Sequence, residues 1–321
     1  MRRVAFQMGL VGSVVTILVV CSVSSIPAQA PVRLRVGIIP IVDLLQLFVA
    51  DAKGYFAEEG LRVETTAMAG GAQIAPAVEG GSLDVGWSNV VSILLARERG
   101  FDFVFFAPGA FEVDPHNRVH QLLVPADSPV RGARDLVGKT VAVNTLANIP
   151  YLATLVWLDQ QGVNPAQVRF VEIPFPDMPA ALSGKRVDAA VVIEPFASVA
   201  LAQGVARVLD PRPFAVFGRR VLVASWFAKR SWLDRNRQAA SAFNRAIRRA
   251  NEFILRRPAE ARALIPRYTR VPADLAERMP LPGFFSTVFD SDVRPVVEAA
   301  VKHGLLRRPL TPEDILVRGL R

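Results

Sequence analysis

The chain has 321 residues, about half apolar and a fifth charged, the balance of a globular protein with material for about two domains. Its net charge of +9 falls to +7 without Arg2 and Arg3, and much of the excess lies on Arg245, Arg248, Arg249, Arg256, Arg257 and Arg262. Phe243, Ile247 and Ile254 run among those arginines at helical spacing, so the basic run reads as the solvated face of an amphipathic helix. Without aromatic–basic interleaving, it argues against a nucleic-acid partner.

Residues 1–30 read as a secretory signal peptide. Arg2 and Arg3 precede the apolar run Met8 to Cys21, small residues end it at "IPAQA", and no acid occurs before Asp43. The run is shorter than the roughly 20 residues of a membrane span, and cleavage is expected after Ala28 or Ala30. Cys21 is the only cysteine, so the mature chain should hold no disulfide, thiolate nucleophile or Cys-ligated metal. A periplasmic protein, released across the inner membrane, is the expectation.

Beyond the leader the chain reads as a β-α-β-α-β unit written twice. In the first, "RLRVGIIP" is a strand and Leu44 to Glu59 a helix stopped by Gly60. "LRVETTAM" is a strand, Gly70–Gly71 open a helix to about Glu79, and "LDVGW" closes the unit. Gln121 to Val124 reads as a strand leaving the first lobe, with Pro125 to Gly138 leading into the second. There "KTVAVN", a helix "IPYLATLVWLDQQ" ended by Gly162, "VRFVEIP", a helix "PDMPAALS" ended by Gly184, and "VDAAVVI" repeat the order. The stretches from Ile74 and Met178 align at a constant offset that pairs Ala77 with Ala181, Gly80 with Gly184 and Asp84 with Asp188. Asp84 and Asp188 precede buried strands and read as structural turn or cap residues. Val221 to Trp226 offers a strand back, and Leu233 to Arg321 is mostly helical and should pack on the first lobe.

The pattern predicts an α/β fold of two lobes, each a wound, mostly parallel sheet with flanking helices, joined by two hinge strands. Lobe one should comprise residues 31–124 plus 220–321, and lobe two residues 125–219. Ligands of open parallel sheets bind beyond the carboxyl ends of the strands. In lobe one those positions are Pro40–Ile41, Gly71–Ala72–Gln73 and Trp87–Ser88–Asn89. In lobe two they are Asn144–Thr145, Asn148, the Pro174–Asp177 loop and Glu194–Pro195–Phe196. Glycines there allow close backbone approach, and helix starts favour negative charge. Trp87 offers a flat wall, and Glu194 suits an amine or ring N–H. Structural alternatives stand beside these: Asn144 and Thr145 as helix caps, Gly70–Gly71 as a turn, Trp87 as core, Glu194–Pro195 as a helix start.

Signs of catalysis are weak. "GKT" at 138–140 is followed by a strand where a phosphate loop needs a helix. His116 and His120 have metal-like spacing without a nearby acidic or third histidine partner, and no serine sits in a nucleophile elbow. No cofactor is expected.

"KGYFAEEGLRVE", "GGAQIAPAVEGGSLDVGWSN", "GKTVAVNT" and "VEIPFPDMPAALSGKRVDAAVVIEPF" together resemble the periplasmic solute-binding proteins of ABC importers. The resemblance is to the sulfonate, nitrate and taurine group (NitT/TauT-type), which includes binders of thiamine pyrimidine precursors and riboflavin. It runs from about Val32 to the Arg220s. It implies a type II periplasmic-binding-protein fold, closure over a small organic solute, delivery to an inner-membrane ABC permease, and no enzymatic activity. Contacts would come from Pro40–Ile41, Gly71–Ala72, Trp87–Ser88–Asn89, Asn144–Thr145 and Glu194. A monomer is expected. Two alternatives stay open: an enzyme on the same fold, and a sensor subunit presenting its ligand to a receptor kinase.

Overall fold

The computed structural model describes residues 30–113, 118–317, 319 and 320. The expected signal segment up to residue 29, Cys21 and His116 lie outside the described residues.

The first half runs β1 (Val32–Ile38), α1 (Leu45–Ala52), α2 (Tyr55–Glu58), β2 (Leu61–Ala67), α3 (Gly71–Glu79), β3 (Val85–Asn89), α4 (Val90–Glu98) and β4 (Phe103–Val113). The single helix expected over 44–59 is two helices. Gly54 separates them at φ 73°, a left-handed conformation that glycine adopts without steric cost. The second half runs β5 (His120–Pro125), β6 (Thr140–Val143), α5 (Ile149–Gln160), β7 (Arg169–Glu172), α6 (Met178–Ser183), β8 (Ala189–Ile193), α7 (Phe196–Ala202) and β9 (Ala206–Asp210). The chain then enters β10 (Arg220–Lys229), α8 (Arg230–Arg235) and α9 (Arg237–Arg256). It ends with α10 (Pro258–Arg262), α11 (Ile265–Thr269), α12 (Ala273–Arg278), α13 (Arg294–Lys302) and α14 (Pro312–Ile315).

Two five-stranded sheets result, ordered β2-β1-β3-β10-β4 and β7-β6-β8-β5-β9. Both have parallel pairs on the first three strands, then one reversed strand: β10 runs antiparallel to β3 and β4, β5 to β8 and β9. The reversed strand is in each case the one arriving from the other lobe. This corrects the expected lobe boundary at Val124 and the expected hinge strands. Gln121–Val124 pairs inside the second sheet, where its hydrogen-bonding edges find β8 and β9. The return crossing lies instead between Asp210 and Arg220.

The duplicated acids act alike. Asp84 Oδ2 accepts the Arg35 amide of β1 at 2.9 Å, and Asp188 Oδ2 accepts the Thr140 amide of β6 at 2.9 Å. In return the Asp84 amide donates to Arg35 O and the Asp188 amide to Thr140 O. Each aspartate thus ties the third strand of its unit to the first, as the structural reading held. The left-handed residue after the short helix is Gly81 in one copy and Lys185 in the other, one place beyond the expected glycine stops at Gly80 and Gly184. The preceding glycines stay right-handed (φ −72° and −81°).

The basic face of α9 is solvated, as expected, while Phe243, Ala246, Ile247 and Ala250 are buried beneath it. Phe243 meets Phe56, Phe106 and Trp226, seating α9 on the first sheet. The C-terminal region does more than cover lobe one. Helix α13 touches both α4 and α5, and Lys302 pairs with Asp159 of α5 at 2.6 Å.

Candidate functional site

The carboxyl ends of the two sets of parallel strands face one another. Several contacts join the rims among the described residues. The Val42 amide donates to Glu194 O at 3.0 Å, and the Ile149 amide donates to Asn89 Oδ1 at 3.2 Å. Gly70 lies against Asn144 and Thr145 so closely that a Cβ on it would come within 3.2 Å of both side chains.

The amides at the rim have local causes. Asn89 caps α4 by accepting from Ser92 N at 3.0 Å, and Asn148 caps α5 by accepting from Tyr151 N at 3.0 Å. Asn148 Nδ2 in turn donates to Asn144 Oδ1 at 2.7 Å, a buried pair that fixes both amides. The capping expected of Asn144 thus falls to Asn148. Helix α3 differs: Gly70 at its start supplies no side-chain cap, and Gln73 reaches back to the Ala69 amide at 3.1 Å. Gly71 presses on Ser88, whose Oγ would stand 2.1 Å from an added Cβ. A side chain at 71 would therefore force Ser88 to shift where α3 meets β3.

Trp87 is 1 % exposed and turns into the core of lobe one. Its ring meets Trp226 edge to face, with centroids 4.8 Å apart. Side chains alternate along β3, so Trp87 faces α9 while Ser88 faces α3. Among the expected contacts, the fold brings together Gly71, Ser88, Asn89, Asn144, Thr145 and Asn148, with Ala72 and Gln73 on the first turn of α3. Pro40, Ile41 and Glu194 form a second group nearer the crossings.

Glu194 is fully buried. Burial pushes its carboxyl up to about 7, against the opposing pull of Ser198, His120 and Gln121. Oε2 accepts from Ser198 N at 3.0 Å, and Oε1 from Ser198 Oγ at 2.9 Å and Gln121 Nε2 at 3.3 Å.

Beside it lies a buried ionic group that sequence reasoning missed. His120 Nδ1 is 2.7 Å from Glu112 Oε2, and Nε2 is 3.1 Å from Asp43 Oδ2, all three side chains being buried. Burial alone would depress the imidazole. The Asp43 and Glu112 carboxylates outweigh it and raise His120 to about 10, so the ring carries both protons and donates to each acid. Burial also raises Glu112. Phe214 stacks on the ring at 4.5 Å. Asp43 and Glu112 belong to lobe one, His120 opens the second sheet, and Phe214 lies on the return crossing, so the group sits where the lobes join. The acidic partners thought missing for His120 are thus supplied by the fold. A legible signal existed in Asp43 within "IPIVDLLQLFV" and Glu112 within "GAFEV", lone acids in apolar runs. Among the described residues no cluster has the make-up of a metal site, and no helix is long and apolar enough to cross a membrane.

The model of the NMT1-like family matches residues 28–267. An aliphatic sulfonates-binding protein of Escherichia coli (strain K12) is 30% identical over 139 residues, a match spanning 43% of this chain and 42% of that protein. The alkanesulfonate-binding protein SsuA of Xanthomonas axonopodis pv. citri, solved bound to MOPS, superposes with a TM-score of 0.75 at 18% identity, covering 91% of this chain and 100% of that one. The periplasmic aliphatic sulphonate binding protein SsuA of Escherichia coli gives 0.70 at 18% identity, covering 90% and 92%. The fold is thus the α/β periplasmic-binding-protein fold of that type. With two matching sheets and a family model covering both lobes, the chain belongs to the NMT1-like family.

Proposed function

We propose that the protein is the exported substrate-binding component of an ABC importer, a monomer that captures a small organic solute between its lobes and passes it to an inner-membrane permease. The observation that carries this reading is that, among the described residues, two pseudo-equivalent rims meet through the Val42–Glu194 and Asn89–Ile149 bonds while the strands of each sheet pair only among themselves. Such rims part and close with little cost to either core, and a solute touching both stabilises the closed form. The likeness to binding proteins and the leader-like residues 1–30 support this over an enzyme of the same fold.

The proposed contacts are Pro40, Ile41, Gly71, Ala72, Gln73, Ser88, Asn89, Asn144, Thr145, Asn148 and Glu194, with Trp87 supporting the rim from behind. No Lys or Arg stands in these loops. The starts of α4 and α5 are occupied by asparagine caps, while α3 has no side-chain cap, so an anionic end of the solute is best placed at Gly71–Ala72. The buried Glu194 favours an N–H or hydroxyl donor at the other end. A calorimetric and thermal-shift panel of alkanesulfonates, taurine, pyrimidines, flavins and aromatic acids tests the reading. A solute that binds at micromolar concentration and is lost with Asn144→Ala supports it; a broad panel without any shift in melting overturns it.

A further inference from the structure

The turn that follows Pro40 and Ile41 has no side-chain cap of its own, and two consecutive residues in it bond across to the other lobe. The Val42 amide donates to Glu194 O at 3.0 Å, and Asp43 Oδ2 accepts from His120 Nε2 at 3.1 Å. Both partners belong to one end of the second sheet. His120 pairs with Ile193 in the β5–β8 register, and the Glu194 amide donates to Val119 O at 3.0 Å. Bonds from neighbouring residues onto one strand pair fix the direction of the turn as well as its distance.

Lobe one grips His120 a second time. Nδ1 donates to Glu112 Oε2 at 2.7 Å near the end of β4, so the ring bridges two separate segments of lobe one. Phe214 on the return crossing stacks on its face, with centroids 4.5 Å apart. A neutral imidazole has one N–H and could serve only one acid; the doubly protonated ring serves both. Asp43 Oδ1 and Glu112 Oε1 are buried without a partner, so among the described residues each carboxylate depends on His120 alone. Two further charges act on the cluster, Arg212 on Glu112 and Glu194 on His120.

Asp43 is 1 % exposed, and Glu112 and His120 are 0 % exposed, so none of the three reaches a solute. Their effect on the cleft is through position. On the reading of the cleft as a solute site, we infer that His120 is its positioning residue: by bridging Asp43 and Glu112 it pins the 41–43 turn to the end of β5 and β8, and so sets how Pro40 and Ile41 of lobe one face Glu194 of lobe two. The ring lies against the return crossing, near the axis about which the lobes turn, so this end of the seam stays in register while the Asn89–Ile149 end opens.

The test needs no solute. The chain without residues 1–30 has no cysteine of its own. Spin labels at Thr66→Cys and Arg169→Cys, exposed on the edge strands β2 and β7, report distances between the lobes by double electron–electron resonance. With the pin intact each distance population should be narrow, and Asp43→Leu should widen it about 2-fold or more. Asp43→Asn, whose Oδ1 can still accept from Nε2, should stay close to the parent. Ile247→Ala opens a cavity beneath α9, away from the cluster, and should lower the melting temperature without changing the distances. If Asp43→Leu does not fold, Asp43→Leu/Glu112→Leu/His120→Phe takes its place with the same expected widening, since it strands no charge and offers no directed bond. Unchanged widths in the folded variant overturn the inference. So does equal widening in Ile247→Ala, or Asp43→Asn widening as much as Asp43→Leu. Any of these leaves the solute-binding reading standing, and a solute panel without a binder leaves the pin standing, so the two fail separately.

Discussion

The buried His120 group ties stability to pH with a definite sign. His120 is raised from an ordinary 6.5 to about 10 in the folded chain, so its contribution is complete below pH 6.5 and is lost as pH rises through 10. Within that window a single group costs about 1.4 kcal/mol per pH unit, flattening near its folded value, so the unfolding free energy should fall by about 2.5 kcal/mol between pH 7.5 and 9.5. Glu112, raised by burial, acts in the same direction. Glu194, raised to about 7, exerts its effect mainly below this window. Urea unfolding followed by tryptophan fluorescence reads the change, since Trp87 and Trp226 are buried in lobe one. His120→Leu strands two buried carboxylates and should cost about 3–5 kcal/mol at pH 7.5. The neutral triple variant Asp43→Asn/Glu112→Gln/His120→Gln should recover much of that loss and flatten the pH dependence. A wild-type unfolding free energy constant from pH 7.5 to 9.5, or a triple variant with the wild-type slope, would refute a charged His120 in the folded state.

Gly109→Ala should lower stability by about 3 kcal/mol or more, because its Cβ would lie 1.8 Å from the Ala224 carbonyl oxygen where β4 and β10 lose register; a melting curve within a degree or two of wild type contradicts this. Asp84→Ala removes the acceptor of the Arg35 amide and should cost about 1–2 kcal/mol. Despite the opposing effect of burial, Arg35 holds the Asp84 carboxyl below its ordinary range. Its contribution is therefore present above pH 4 and disappears as pH falls through that lowered value, so wild type and variant should converge in acid denaturation. Asn89→Ala removes both the α4 cap and the bond to Ile149. It should cost about 1 kcal/mol and enlarge the radius of gyration in small-angle scattering; an unchanged radius argues against Asn89 as a latch.

Most of the fold was legible because it rests on local patterns. The β-α-β-α-β order and the glycines at 60 and 162 report local backbone requirements and occupy their expected places, while the paired aspartates were visible through the repeat although their partners lie 49 and 48 residues away. Strand β4 was not legible. Its run "FVFFAPGAFEV" has no alternation, carries a proline and a glycine, and is a strand only because β10 lies beside it. The same holds for Gln121–Val124, visible as a strand but assignable to a sheet only through its partners β8 and β9. At the site, the asparagines could be read because helix starts select them. The direction of Trp87 depended on which face of the first sheet α9 covers, and the His120 group joins residues 8 and 77 positions apart.

The central claim is that a solute is held between rims that must part to admit it. The pair Gly70→Cys/Thr145→Cys places two thiols across the seam, where an added Cβ at 70 stands 3.2 Å from Thr145 Cγ2. Calorimetry with the solute that shifts melting in the panel then compares the chain oxidised before mixing with the same chain after reduction. Binding lost on oxidation and restored by reductant is the predicted result; equal binding in both forms would contradict the account.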